Sequence, residues 1–291
     1  MYLAGDNALA ELFTAKVRVF EECFALGLAS SSLSIRDGET RALYCTPFRV
    51  KGVRVVGLYQ PTRKGENVSR RLTGGADIVA NTVTVYVGVA FRAKNLAVAV
   101  EKLYTLANRL CYCKNIGSRC GKCVLGVTIN EETAYAEIIG PRLPLEVLDS
   151  GLQHVFGSKP HRLELTENDV DRRLVANFTN PRWRWYEGAE NTQLKTIVRG
   201  ENDFNLRIGV QHYDCFIERL EVDGVFYAAP PFGIYNVFAS LEGVPVHQRE
   251  IIIAGLESIL DNSVNIYGVE IGDIINALDK LFLILERKCR I

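Results

Sequence analysis

Two adjacent guanidinium groups stand directly before a small, glycine-rich turn in the stretch Val68-Ser69-Arg70-Arg71-Leu72-Thr73-Gly74-Gly75-Ala76-Asp77. Such a stretch can hold an anion. Paired glycines let backbone N–H groups approach a phosphate or carboxylate, and each arginine adds a planar fork of donors that stays charged at physiological pH. The same residues also have a plainer use, as a turn that feeds the chain into the next strand. A second cluster is Cys111, Cys113, Cys120 and Cys123. Its Cys120-x-x-Cys123 spacing fits a zinc knuckle, whereas Cys111-x-Cys113 at a helix end points its side chains to different faces. The readings are a structural zinc or, as the default, unliganded and partly buried thiols.

The elements that would position these groups follow from apolar periodicity. Leu9, Leu12, Phe13, Val17, Phe20 and Phe24 recur at three- and four-residue spacing, which predicts a first helix to about residue 26, capped by Asp6 or Asn7. Polar breaks at Ser30-Ser31-Ser32 and at 36–39 precede strands over 42–48 and 53–58, joined at Lys51-Gly52. A short basic loop over 61–67 leads to the glycine-rich turn, and a strand over 82–90 follows. A helix is expected over 95–111 with Val98, Leu103, Leu106 and Leu110 inward, then strands over 121–129 and 134–139 joined by a turn at 130–133. Helices over 144–156 and 166–178 come next, the second opening on the capping-box arrangement of Thr166 and Asp169.

At Asn180-Pro181-Arg182-Trp183-Arg184-Trp185 the pattern changes, so the boundary is placed there, dividing the chain into 1–180 and 181–291. The second part reads as strands over 204–211 and 215–222 and helices over 234–242, 248–260 and 271–288, a small α+β unit. Trp183 and Trp185 are expected as core aromatics.

The order of these features resembles the lipoate-protein ligase family, within the wider group of biotin and lipoyl protein ligases and octanoyltransferases. The residues that carry the resemblance are the strand ending Gly57-Leu58-Tyr59-Gln60, the turn Arg70-Arg71-Leu72-Thr73-Gly74-Gly75, the following Asn81-Thr82, and Gly121-Lys122-Cys123-Val124-Leu125-Gly126. The hairpin around Asp223-Gly224-Val225-Phe226-Tyr227 is similar to that of the family's accessory domain. The resemblance implies an α+β fold: a biotin/lipoyl ligase-like catalytic domain with a mixed β-sheet and flanking helices, plus a small α+β C-terminal accessory domain. It implies ATP-dependent activation of lipoate or octanoate to an acyl-adenylate, with Mg²⁺, and transfer to a lysine of a lipoyl carrier domain. Carriers of that kind are 2-oxoacid dehydrogenase E2 or glycine cleavage H protein.

By the same resemblance Lys122 is the catalytic stabiliser of charge at the reacting centre, while Arg70 and Arg71 meet the acyl and adenylate anions. Thr73, Gly74, Gly75 and Ala76 belong to the phosphate region, and Asp77 and Asn81 to ribose or Mg²⁺ contacts. Val56, Val83 and Val85 would help to line the acyl tunnel, and the 61–67 loop would be a shortened lid. A solvent-facing strand lysine is the plainer reading of Lys122. The chain departs from the family pattern after Gly75, where a third glycine and a histidine-aspartate pair are replaced by Ala76-Asp77-Ile78, and at Ala136-Glu137, where a His-Gly is typical. Two further readings are an octanoyltransferase with a cysteine nucleophile at Cys120 or Cys123, and a ligase-like protein that binds a lipoylated partner or adenylate without turnover.

Bulk properties agree with a folded enzyme-sized chain. With 291 residues and 48% hydrophobic content the chain can bury a large core, and 34 basic against 34 acidic residues give no reason to expect nucleic acid or an acidic membrane. Apolar runs stay short of the ~18 residues a membrane span needs. The expected setting is cytoplasmic, with reduced thiols, as a monomer. His154, His161, His212 and His247 all lie outside the candidate turn, so no histidine base is implied.

Overall fold

The computed structural model describes residues 9–112 and 117–289. The N-terminal part is built from β1 (Leu9–Val17), α1 (Phe20–Asp37), β2 (Thr40–Pro47), β3 (Val53–Val56), β4 (Val68–Arg70), β5 (Ile78–Ala80), β6 (Thr84–Arg92) and α2 (Leu96–Cys111). It continues with β7 (Arg119–Cys120), β8 (Cys123–Asn130), β9 (Thr133–Pro141), α3 (Leu145–Phe156), β10 (His161–Leu165), α4 (Arg172–Thr179) and α5 (Pro181–Arg184). The remainder comprises β11 (Leu194–Arg199), β12 (Asn205–Tyr213), β13 (Phe216–Val225), β14 (Tyr227–Ala229), α6 (Gly233–Ala239), α7 (Arg249–Ser263), β15 (Asn265–Tyr267) and α8 (Ile271–Cys289).

A seven-stranded mixed sheet, ordered β10-β1-β2-β6-β9-β8-β7, is the main platform. β1 pairs parallel with both β2 and β10, and the other pairs are antiparallel. Helices α2 and α3 cover one face, and α1 and α4 the other. A small sheet β4-β3-β5 carries the glycine-rich turn between β4 and β5, and the antiparallel β11-β12-β13 sheet packs with α8. The expected α+β class with a mixed sheet and flanking helices is the observed one.

The first predicted helix is instead a strand followed by a helix. In β1, Leu12 joins the core on one face while Phe13, Ala15 and Val17 join the core on the other. A strand buried on both faces has near-continuous apolar residues, so its spacing imitates a helix, and pairing with neighbours on both sides decides the outcome. Asp6 and Asn7, its expected caps, lie outside the described residues. Helix α1 then runs through Ser30, Ser31 and Ser34, all buried, and ends at Gly38 in the left-handed region, whose N–H donates to the Ser34 carbonyl at 2.8 Å. Serine disfavours a helix interior only mildly, and burial of Phe20, Phe24 and Leu26 outweighs it.

Elsewhere the differences are smaller. Helix α2 begins as expected, with Asn95 accepting from the Val98 N–H at 3.0 Å. Thr166 does cap a turn, but that turn is a single 3₁₀ segment, Glu167–Asp169, because Val170 is extended and buried. Asp171 caps α4 afresh by accepting from the Arg173 N–H at 2.8 Å. Strands β10 and β11 were not anticipated; both are short, solvent-edged and rich in charged residues.

The cysteines correct the thiol and zinc readings. Among the described residues the disulfides are Cys23–Cys45, Cys111–Cys123 and Cys215–Cys289, and Cys120 is also disulfide-bonded. Cys113 lies outside the described residues. A thiol joined to another thiol has no thiolate to give zinc, and no group of metal-ligating side chains occurs among the described residues. No helix among them is long and apolar enough to cross a membrane.

Candidate functional site

Strand β4 delivers Arg70 and Arg71 into the interior, where they are 2% and 0% exposed. The Arg70 Nη1 donates to the carbonyls of Gly57 at 3.1 Å, Leu58 at 2.7 Å and Gln60 at 2.7 Å. Its Nη2 donates to Thr62 Oγ1 at 2.8 Å and the Arg184 carbonyl at 3.3 Å, and the guanidinium lies over the Tyr186 ring. Arg70 therefore ties the loop after β3 to the end of α5. The Arg71 Nη2 donates to the carbonyls of Gly74, Ala76 and Leu125 at 2.8, 2.9 and 3.0 Å. Its Nε and Nη1 are buried without a hydrogen-bond partner among the described residues. Burial pulls the Arg70 pKa down to about 10 and lowers that of Arg71, for which the nearby Glu137 charge works the other way.

The turn itself is a place of backbone-to-backbone approach. Gly75 has φ of +96°, and a Cβ there would sit 2.2 Å from the Leu125 carbonyl oxygen. A Cβ on Gly74 would sit 2.0 Å from the Phe226 carbonyl oxygen. Only glycine permits these contacts. The Gly75 N–H donates to that Phe226 oxygen at 3.1 Å, and Phe226 stacks on Tyr59 with ring centroids 4.2 Å apart. In this conformation the C-terminal part of the chain occupies the space in front of the turn.

Behind the turn lies a polar network within the core. Glu137 on β9 is 0% exposed; it accepts from Thr73 Oγ1 and, at 3.1 Å, from the Tyr86 hydroxyl, which in turn meets the Tyr135 hydroxyl. Burial raises the Glu137 pKa, against the opposing pull of the Arg71 charge and of the Thr73 and Tyr86 hydrogen bonds. Sequence reasoning treated Ala136-Glu137 only as a departure from a pattern. A single carboxylate inside the apolar strand Thr133–Pro141 was the signal that could have found it.

This carboxyl makes a pH prediction. The folded state keeps the proton at pH values where the unfolded chain, near the ordinary value of 4.5, has lost it. Stability is therefore fully present below that value and falls as pH rises through the raised folded value. Urea midpoints across a pH series should show this falling limb in the native chain and its loss in Glu137→Gln. Identical profiles would place the folded carboxyl at its ordinary pKa.

The remaining expected site residues stand apart from this network. Asp77 is half-buried, its Oδ2 accepting from Arg54 Nε at 2.7 Å and its Oδ1 from Arg119 Nη2 at 2.9 Å. Although burial pushes its pKa up, the two arginines hold it below the usual carboxylate range. Asn81 is exposed and accepts from the Val83 N–H at 3.0 Å. Lys122 is exposed in the turn between β7 and β8, one residue before the strand expected to carry it. Of the residues expected to line a tunnel, Val56 and Val85 are buried, whereas Val83 is 57% exposed.

The 61–67 loop is fastened rather than draped. The Thr62 N–H donates to the Tyr186 carbonyl at 2.7 Å, and Arg63 pairs with Glu190 at 3.2 Å. A cavity of about 500 Å³ remains beside it, lined by Arg54, Thr62, Arg63, Glu66, Glu187 and Glu190. Trp183 is the aromatic that matters here: its Nε1–H donates to the Arg70 carbonyl at 2.9 Å while its ring packs on Phe178 and Phe232.

No protein-family model matches this chain, and no curated protein matches it by sequence. Its fold matches solved lipoate-protein ligases. P. falciparum LipL1, solved in complex with lipoate, corresponds over 95% of this chain and 99% of its own, with a TM-score of 0.62 and 10% identity. Lipoate-protein ligase A bound with ATP corresponds over 60% of this chain and 98% of its own, with a TM-score of 0.48 and 8% identity. A putative lipoate protein ligase of T. acidophilum with bound lipoic acid corresponds over 61% of this chain and 100% of its own, with a TM-score of 0.46 and 8% identity.

Proposed function

We propose that this chain is a lipoate-protein ligase. In this reading a carboxylate oxygen of lipoate or octanoate attacks the α-phosphorus of ATP and pyrophosphate leaves. A lysine amine of a lipoyl carrier domain then attacks the acyl carbonyl, AMP leaves, and the amine loses a proton. The observation that carries the reading is the correspondence of fold along nearly the whole chain with LipL1, whose own structure holds lipoate. Residues 1–180 would be the catalytic domain and 181–291 the accessory domain.

The roles of the chain's residues follow from where their free donors are. Arg71 would meet the anion through Nε and Nη1, which have no hydrogen-bond partner among the described residues, while Arg70 holds the surrounding loops in place. The backbone of Gly74, Gly75 and Ala76 would face the phosphates once the Gly75 N–H leaves the Phe226 carbonyl. Lys122, on its exposed turn, would swing toward the reacting centre and screen the charge that develops there. Asn81 would contribute to the ribose. Asp77 does not fit a Mg²⁺ ion as it is held, since each of its oxygens accepts from an arginine, and no step is assigned to that ion.

The inward use of Arg70, Arg71 and the Gly75 N–H favours a second reading, a ligase-like protein that binds a lipoyl partner or adenylate without turnover. The cysteine-nucleophile transferase loses its basis, because Cys120 and Cys123 are disulfide-bonded. Lipoate-dependent exchange of labelled pyrophosphate into ATP separates the two. Exchange that drops by at least ~100-fold in Lys122→Ala, with an unchanged urea midpoint, establishes the ligase. Absence of exchange in a native chain that still binds lipoyl-AMP leaves the binder.

A further inference from the structure

The strand directions gather several segment ends at one end of the main sheet. β1, β2 and β10 run parallel, β6 runs against β2 and β9, and β8 runs against β9, so the ends of β1, β2 and β9 meet the starts of β6 and β8. Lys16 stands near the end of β1, Arg49 and Lys51 follow β2, Arg142 follows β9 and Lys122 precedes β8, all of them exposed. Phe48, 40% exposed, and Val83, 57% exposed, stand among them. From β1 to β8 is four strand intervals, or about 19 Å.

Backbone and ring contacts join these residues into one surface. The Phe48 N–H donates to the Val17 carbonyl at 2.9 Å and the Arg49 N–H to the Arg18 carbonyl at 2.8 Å, which carries the β1–β2 pairing past both strands. Lys16 Nζ and the Arg49 guanidinium each lie 5.9 Å from the centre of the Phe48 ring, held by its π face. Across β6, the Arg142 N–H donates to the Val83 carbonyl at 2.7 Å. Arg18 is paired with Glu167 at 2.8 Å. Lys16, Arg49, Lys51, Lys122 and Arg142 form no ion pair among the described residues. A chain of zero formal net charge therefore concentrates cations around two exposed apolar side chains.

An apolar centre inside a polar rim is the layout of a protein interface, and the sign of the rim selects a partner that brings carboxylates. Carboxylates of this chain mark one flank of the surface: Glu164, Glu167 and Asp169 lie in or just after β10, beyond β1, and Glu146 at the start of α3 lies by Arg162. A flat anionic membrane would press on that flank too, since β10 is one interval of about 5 Å from β1, well within a Debye length. A compact protein can stop at β1. We infer that this surface docks a protein whose contacting face is acidic, and in the ligase reading, on which the choice of partner rests, that protein is the carrier domain. The acceptor lysine is a cation until it loses a proton, and Lys122 stands on the same rim. Carboxylates flanking that lysine on the carrier offset the repulsion as it approaches.

The test is titration of the full chain into a fluorescently labelled apo lipoyl domain of net negative charge, without lipoate or ATP, with phosphatidylserine vesicles as a separate arm. Arg49→Glu combined with Lys51→Glu is expected to weaken binding by roughly 10-fold or more, and Phe48→Ala by a similar factor. Lys280→Glu, exposed on α8, should leave it unchanged. All these side chains are exposed, so urea midpoints should stay native. Binding unchanged in both patch variants, or no binding by the native chain up to about 1 mM at low salt, overturns the inference. So does binding to the vesicles but not to the domain. Pyrophosphate exchange, which needs no carrier, keeps the two proposals apart. Exchange at the native level in patch variants that no longer hold the domain supports both; no exchange by a chain that holds the domain through the patch sinks the ligase alone.

Discussion

Replacing Arg70 with alanine should destabilise the chain by about 3–5 kcal/mol, enough to unfold much of it. The reason is the number of groups that depend on one guanidinium: the carbonyls of Gly57, Leu58, Gln60 and Arg184, and the Thr62 hydroxyl. A buried acceptor left without a partner costs roughly 1–3 kcal/mol, and the carbonyls of Leu58 and Gln60 would be left so, whereas those of Gly57 and Arg184 keep the Gln60 N–H and the Thr62 hydroxyl. Relief from burying a charge offsets part of this, as the lowered pKa of Arg70 shows that burial disfavours the charged form. Arg70→Lys should recover little, because a single ammonium cannot reproduce a planar fork that reaches two loops. Urea denaturation measures the effect. A variant Arg70→Ala with a native midpoint but no lipoate binding would mean that the guanidinium serves the ligand, and would sink its assignment as a structural tie.

Breaking the Cys215–Cys289 disulfide should cost roughly 4 kcal/mol, by the entropy of a closed loop of this length. The two cysteines are separated by 74 residues, with Cα atoms 5.7 Å apart, and the bond pins the end of α8 to the turn between β12 and β13. That loop contains α6, α7 and nearly all of α8, so opening it frees most of the C-terminal part of the chain. The loops closed by Cys23–Cys45 and Cys111–Cys123 are shorter, with separations of 22 and 12, and should each matter less. For a chain of this size the Cys215→Ser, Cys289→Ser double variant should melt roughly 7 °C below the native protein. Thiol counting by alkylation and mass spectrometry provides the control. Folded native protein that alkylates at Cys215 and Cys289, with a midpoint insensitive to reductant, would remove the bond from the account.

Both predictions rest on features whose residues were conspicuous and whose use was hidden. Arg70-Arg71 before Gly74-Gly75 stood out as an anion-binding pattern. The structure turns most of the donors inward onto carbonyls, because the loop after β3 and the end of α5 bring their carbonyls to the same point. Local sequence cannot report which acceptors arrive from 114 residues away. Cysteine pairing has the same character. Cys23–Cys45 joins α1 to β2, and Cys215–Cys289 joins a hairpin to a terminal helix, so spacing along the chain carries no sign of either.

The sequence alone determined what depends on neighbours within a few residues: the start of α2 near Asn95, the β8–β9 and β12–β13 hairpins, the terminal helix α8, and the mixed α+β class. Tertiary structure decided what depends on residues meeting across the fold. It made β1 a strand, because partners on both sides satisfied its backbone and both faces were buried. It also buried Glu137 against Thr73 and Tyr86, put Phe226 in front of Gly75, and left Lys122 on an exposed turn. Periodicity encodes which residues prefer water and which do not; hydrogen-bond partners and packing neighbours exist only once distant segments have come together.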